Sequence, residues 1–161
     1  MASRYPLLLM RHAKSSWRHS GLSDHNRPLN RRGEKAAYRM AAFLHAQGIV
    51  PERILSSSAT RATLTAQIMA AEFSIHEIHV QPALYLADLT VWKHLLTGLT
   101  ADQATLVIGH NPGLENLVSE KAGKPVRFPT AAVAAFRLNH QRATFCMEDL
   151  SLGQLWFPRE I

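Results

Sequence analysis

A chain of 161 residues, 47% apolar and 19% charged, has the length of one ordinary domain and a globular composition, which excludes a wholly disordered chain. Eighteen Lys and Arg against twelve Asp and Glu leave a net charge of +6. That balance favours anionic partners (phosphorylated molecules, nucleic acid or an acidic membrane surface) without choosing among them. A single cysteine, Cys146, excludes an intrachain disulfide framework and a cysteine-cluster metal site, and makes a reducing cytoplasm the default.

No apolar stretch reaches the ~18–20 residues of a membrane-spanning helix. The run Leu7–Met10 is cut off by Arg11-His12, too soon for a signal-peptide core, and reads as a buried first strand. Residues 12–30 are polar, with Gly21, Asn26 and Pro28, and read as a long loop. Ala36, Ala37, Met40, Phe43 and Leu44 recur at three and four, predicting a helix from Arg32 to Gln47 that stops at Gly48. Ile54-Leu55 is a second strand leading into Ser56-Ser57-Ser58, and Leu64, Ile68 and Met69 mark a helix over 59–73.

A strand near Ile78–Val80 follows, then a helix carrying Leu89, Trp92, Leu95 and Leu96. Thr105–Ile108 is the clearest strand and ends at Gly109. Asn111 reads as an N-cap with Pro112 at the first helical position, opening a helix to about Lys121. Ala131–Leu138 and Thr144–Leu150 read as a closing antiparallel pair. With no repeat, linker or low-complexity tract, residues 1–161 are expected to form a single domain. The alternation implies an α/β fold: a mostly parallel sheet covered on both faces.

Three segments run from an apolar strand into a charged or imidazole residue. They deliver Arg11 and His12, then Arg61, then His110. Open α/β sheets bind ligands beyond the carboxyl ends of their strands, so these four residues are expected to converge. Guanidinium forks match phosphate oxygens, and helix starts near Ser58 and Asn111 add backbone N–H donors. No carboxylate stands at these strand ends to neutralise them. The pattern alone leaves a phosphate site and a set of solvated loop residues both open.

Other constellations carry less. His76 and His79 lie in a strand-like run without a third ligand, so no metal site is expected. His19 and His25 read as solvated, and Trp17, Trp92 and Trp156 as packing residues. Arg27, Arg31, Arg32, Lys35 and Arg39 read as a solvated helix face, because no RNA-module aromatics accompany them. Walker-type and Gly-x-Gly-x-x-Gly loops are absent.

Met10-Arg11-His12-Ala13-Lys14-Ser15-Ser16-Trp17 resembles the opening motif of the histidine phosphatase superfamily. Asp24 and Arg27-Pro28-Leu29 leading into Arg32-Gly33-Glu34, Ser56–Ala62, and Ile108–Gly113 follow in the order seen in its SixA-type phosphohistidine phosphatases. The resemblance covers residues 5–150. It implies a three-layer α/β/α sandwich with a mostly parallel central sheet, phosphoglycerate mutase-like.

It also implies a phosphatase in which His12 attacks phosphorus and a covalent phosphohistidine is then hydrolysed. Arg11, Arg61 and His110 would hold the non-bridging oxygens, and cationic neighbours would keep His12 neutral. Ser15 and Arg27 are candidate further phosphate contacts, beside Lys14 and Ser16, and Arg27 is equally a candidate structural loop anchor. Glu34 and Lys35 read as first-turn helix charges. Asp88 is a candidate general acid, though it could simply cap the helix that follows.

No cofactor or metal is implied. The expected partner is a phosphorylated protein or a small phosphorylated substrate, with no nucleic acid or membrane, in the cytoplasm. Weak acid catalysis favours phosphohistidine, whose P–N bond takes a proton from solvent, over an alkyl ester. The alternatives are a small-molecule phosphomonoesterase of the same superfamily and a non-catalytic phosphoprotein binder.

Overall fold

The computed structural model describes residues 4–161. Six strands form one sheet: β1 (Leu7–Arg11), β2 (Arg53–Ser56), β3 (Ile78–Val80), β4 (Thr105–Gly109), β5 (Val133–Leu138) and β6 (Leu150–Trp156). Their order is β3-β2-β4-β1-β5-β6. β3, β2, β4 and β1 run parallel, and β5 and β6 close the sheet antiparallel.

The strands read as continuous apolar runs because both faces are covered. Leu8, Met10, Ile54, Leu106 and Ile108 pack on one face, against α1 (Arg31–Ala46) and α2 (Thr60–Phe73). Leu7, Leu9, Leu55 and Val107 pack on the other, against α3 (Leu89–Thr97) and α4 (Gly113–Ala122). This is the expected α/β/α sandwich. Each fully buried leucine of β1 contributes roughly 1.5–3 kcal/mol relative to exposure.

Local chemistry sets the boundaries. Asn30 caps α1, its side chain accepting from Gly33 N at 2.8 Å. Asn111 does not cap α4: its Nδ2 donates to Glu115 and to the Phe128 carbonyl, and Pro112 stands at the cap instead. The last strand is also displaced, to Leu150–Trp156 rather than 144–150. Asp149 draws the intervening residues into a loop, accepting from His140 at 2.7 Å and from Arg142. Among the described residues, no helix is long and apolar enough to cross a membrane.

Candidate active site

The parallel register aligns the carboxyl ends of β1, β4 and β2, pairing Arg11 with Gly109 and Ser56 with Ile108. His12 N donates to the Gly109 carbonyl at 3.0 Å and Ser57 N to the Ile108 carbonyl at 2.9 Å, extending this alignment past the strands. Arg11 and His12 therefore leave β1 beside His110 leaving β4, and Arg61 enters from the first turn of α2. The His12 and His110 rings lie 4.9 Å apart. Arg61, 4% exposed, reaches both: Nε donates to His12 Nε2 at 3.3 Å, and Nη2 lies 3.5 Å from His110 Nδ1. Arg11 Nη1 donates to the Phe128 carbonyl at 3.1 Å. The four residues line one cleft of about 460 Å³, with Ser15, Arg27 and Lys14 in its wall.

The hydrogen bonds assign the tautomers. His12 Nδ1–H donates to the Ala13 carbonyl at 2.7 Å, so Nε2 carries the lone pair, which accepts from Arg61 Nε. His110 Nδ1 faces the Arg61 guanidinium, so its Nε2–H donates to Ser57 Oγ at 2.7 Å. Both imidazoles are held neutral. Burial lowers the His12 pKa to about 4, helped by Arg61, Arg11 and Arg27 and opposed by the Ala13 hydrogen bond. Burial, then His12 and Arg61, lower that of His110 to about 3. Desolvation thus outweighs the cationic neighbours expected to act on His12.

A carboxylate does reach this end of the sheet, carried by the long loop. Asp24 Oδ2 accepts from Arg61 Nη2 at 3.1 Å and from the Tyr85 hydroxyl at 2.7 Å, and Oδ1 accepts from Arg27 Nη1 at 2.9 Å. The Tyr85 hydrogen bond first, and Arg61 next, hold Asp24 below the usual carboxylate range, so it is ionised. Arg27 also donates through Nε to the Ser16 carbonyl at 3.2 Å and through Nη2 to Ser15 Oγ. His25 is not merely solvated: its Nε2 lies 2.9 Å from Ser58 Oγ and its ring stands edge-on to Tyr85.

Asp88 lies apart from the cleft lining and caps α3, accepting from Val91 N at 2.9 Å. Trp92 is buried, whereas Trp17 is exposed and stacks on Arg27 instead of packing in the core. Among the described residues, no group of three His, Cys, Asp or Glu could hold a metal ion. Sequence reasoning missed Tyr85, Ser57 and Thr65. Thr65 alone left a signal, standing one helical turn after Arg61.

The model of the histidine phosphatase superfamily, branch 1, matches residues 7–111. The chain belongs to that superfamily. An uncharacterized chloroplastic protein of Arabidopsis thaliana is 36% identical over 139 residues, covering 80% of this chain. The match spans 64% of that relative's length. A protein histidine phosphatase SixA complexed with tungstate superposes with a TM-score of 0.81 at 27% identity, covering 96% of this chain and 97% of its own. A structure from Agrobacterium tumefaciens assigned as phosphohistidine phosphatase SixA gives 0.80 at 26%, covering 94% and 97%. The superfamily match and the SixA structures support a phosphatase, and the matched residues take in Arg11, His12, Arg61 and His110.

Proposed function

We propose that this phosphatase hydrolyses phosphohistidine carried on a protein, with His12 as the nucleophile. The observation that carries the reading is the lone pair of His12 Nε2, fixed by the Nδ1–H bond to Ala13 and kept unprotonated by burial. Arg61 Nε exchanges its hydrogen bond to His12 Nε2 for a phosphoryl oxygen. Nε2 then attacks phosphorus, and the P–N bond to the substrate imidazole breaks with its electron pair going to nitrogen, which takes a proton from solvent. Water then attacks the phosphohistidine on His12, releasing inorganic phosphate and restoring the free imidazole.

Arg11 and Arg61 meet the non-bridging oxygens, where transition-state charge is spread. Arrival of the phosphoryl dianion raises the pKa of His110 and lets it donate as well. Ser15 and Arg27 extend this cradle along the cleft wall. The tungstate bound by the SixA relative is a tetrahedral oxyanion, in keeping with such a cradle.

The leaving group follows from the proton donors. Asp24 is ionised and bound to Arg61, and Asp88 is occupied as a cap. Neither is placed to protonate an alkoxide, whereas imidazole leaves with a solvent proton. Phosphate release is therefore expected from a phosphohistidine-carrying protein and not from a phosphoserine peptide. His12→Ala, with its fold retained by circular dichroism, should lose activity by about 10³-fold or more. A fully active His12→Ala variant would overturn the mechanism, and equal release from phosphoserine the substrate class.

A further inference from the structure

Trp17 is 78% exposed and Leu86 is 54% exposed, and both line the cleft that holds His12 and Arg61. They come from separate segments, Trp17 from the loop after β1 and Leu86 from the stretch between β3 and α3. The Trp17 ring rests on the Arg27 guanidinium, whose Cζ lies 3.3 Å from the ring centroid, and most of the remaining ring surface faces water. Leu86 holds a φ of 49°, a left-handed conformation that asparagine or glycine adopts more readily than leucine. A bulky apolar side chain kept in solvent on a disfavoured backbone is not explained by packing within this chain.

A phosphoryl group alone makes no use of such a rim. The floor below it carries Arg11, Arg27 and Arg61, which suit an anion, and exposed Lys14 adds charge to the wall. A phosphorylated side chain that reaches His12 from a folded protein must bring its flanking residues to the mouth. There it meets a tryptophan and a leucine, the first a residue type enriched at protein interfaces.

We infer that Trp17 and Leu86 form the docking surface for the polypeptide around the phosphohistidine, and that this partner presents an apolar side chain beside its phosphorylated residue. Charge complementarity brings the phosphoryl group to the floor, and the rim grips what surrounds it. The inference rests on the reading of the substrate as phosphohistidine on a protein.

The test compares a phosphohistidine-carrying protein with phosphoramidate, which has the P–N bond and no polypeptide. Leu86→Asn tolerates the left-handed backbone and removes the apolar surface, Leu86→Met retains it, and Trp17→Ala removes the other half. Leu86→Asn and Trp17→Ala should each raise KM for the phosphoprotein roughly tenfold with kcat unchanged. Leu86→Met should match the wild type, and kcat/KM for phosphoramidate should stay within about twofold. Equal losses on both substrates would overturn the inference, because the rim would then act through the phosphate cradle. An unchanged phosphoprotein KM in both variants would also overturn it. A wild type that cleaves phosphoramidate but no phosphoprotein would instead remove the substrate reading, and the docking surface with it.

Discussion

Thr65 Oγ1 accepts from Ala13 N at 3.0 Å and donates to the Arg61 carbonyl at 2.7 Å. Ala13 is also the residue whose carbonyl holds His12 Nδ1–H. One hydroxyl thus ties the proposed nucleophile's support to the helix turn that carries Arg61, and positions both without facing the substrate. Thr65→Val keeps the shape and removes both bonds, leaving a buried N–H unpaired at about 1–3 kcal/mol. Urea unfolding should show that loss, and kcat should fall about tenfold as the His12–Arg61 geometry loosens. Thr65→Ser should restore both. The spacing from Arg61 marks Thr65 as its neighbour on α2, but the bond to Ala13 is hidden in the sequence because it depends on what faces the helix. Arg11, His12, Arg61 and His110 were legible because each follows an apolar strand or opens a helix, so chain order gives their place. Asp24 lies in a loop without periodicity, and nothing in the chain order says where its carboxylate lands. The depth of His12, which sets its pKa more than the arginines do, is likewise a property of the finished packing.

Elements meet the site through close backbone approach, and Gly33 in the first turn of α1 is one of the two tightest cases, with Gly113 at the start of α4. A Cβ there would stand 2.0 Å from the Lys14 carbonyl oxygen, where Asn30 N already donates at 3.0 Å. The start of α1 is thereby pressed against the loop that follows His12. Gly33→Ala forces backbone to move, at about 1–3 kcal/mol of stability, and the displaced segment is two residues from His12. Gly48, just past α1, has open space around it but a φ of +68°. Gly48→Ala carries a similar backbone cost of about 1–2 kcal/mol far from the cleft. Thermal unfolding should register both variants, whereas phosphohistidine hydrolysis measured well below the midpoint should fall only for Gly33→Ala. If Gly48→Ala lost activity equally, the contact between α1 and the loop would not be what sets the site. The sequence pattern marked Gly33 only as part of a resemblance and Gly48 as a stop, since a close approach between distant segments has no local signature. The buried strands and the helix periods were legible because the two-sided sheet demands continuous apolar runs. The last strand was misplaced because the Asp149 ties belong to tertiary structure.

At the scale of the whole molecule, a neutral buried imidazole pair makes the phosphatase sensitive to acid. In the unfolded chain both histidines titrate near 6.5, whereas in the native state His12 titrates at about 4 and His110 at about 3. Above pH 6.5 both states are neutral there and the shifts contribute nothing. Below it the unfolded chain takes up protons that the native state refuses, so stability falls as pH falls, until the native groups titrate in turn. Asp24, held low by Tyr85 and Arg61, works in the same direction further into the acid range. Between pH 7.5 and 4.5, His12 alone should remove about 2–3 kcal/mol of unfolding free energy. Urea unfolding at the two pH values should therefore show a larger loss for the wild type than for His12→Ala, by about that amount. Parallel losses would mean that the fold does not hold His12 neutral. The burial that costs stability in acid is also what keeps Nε2 unprotonated. Phosphoenzyme formation should accordingly persist at pH 5, where a solvent-exposed imidazole is almost wholly protonated. A rate that instead declined through pH 6.5 would separate the proposed nucleophile from the buried imidazole described here.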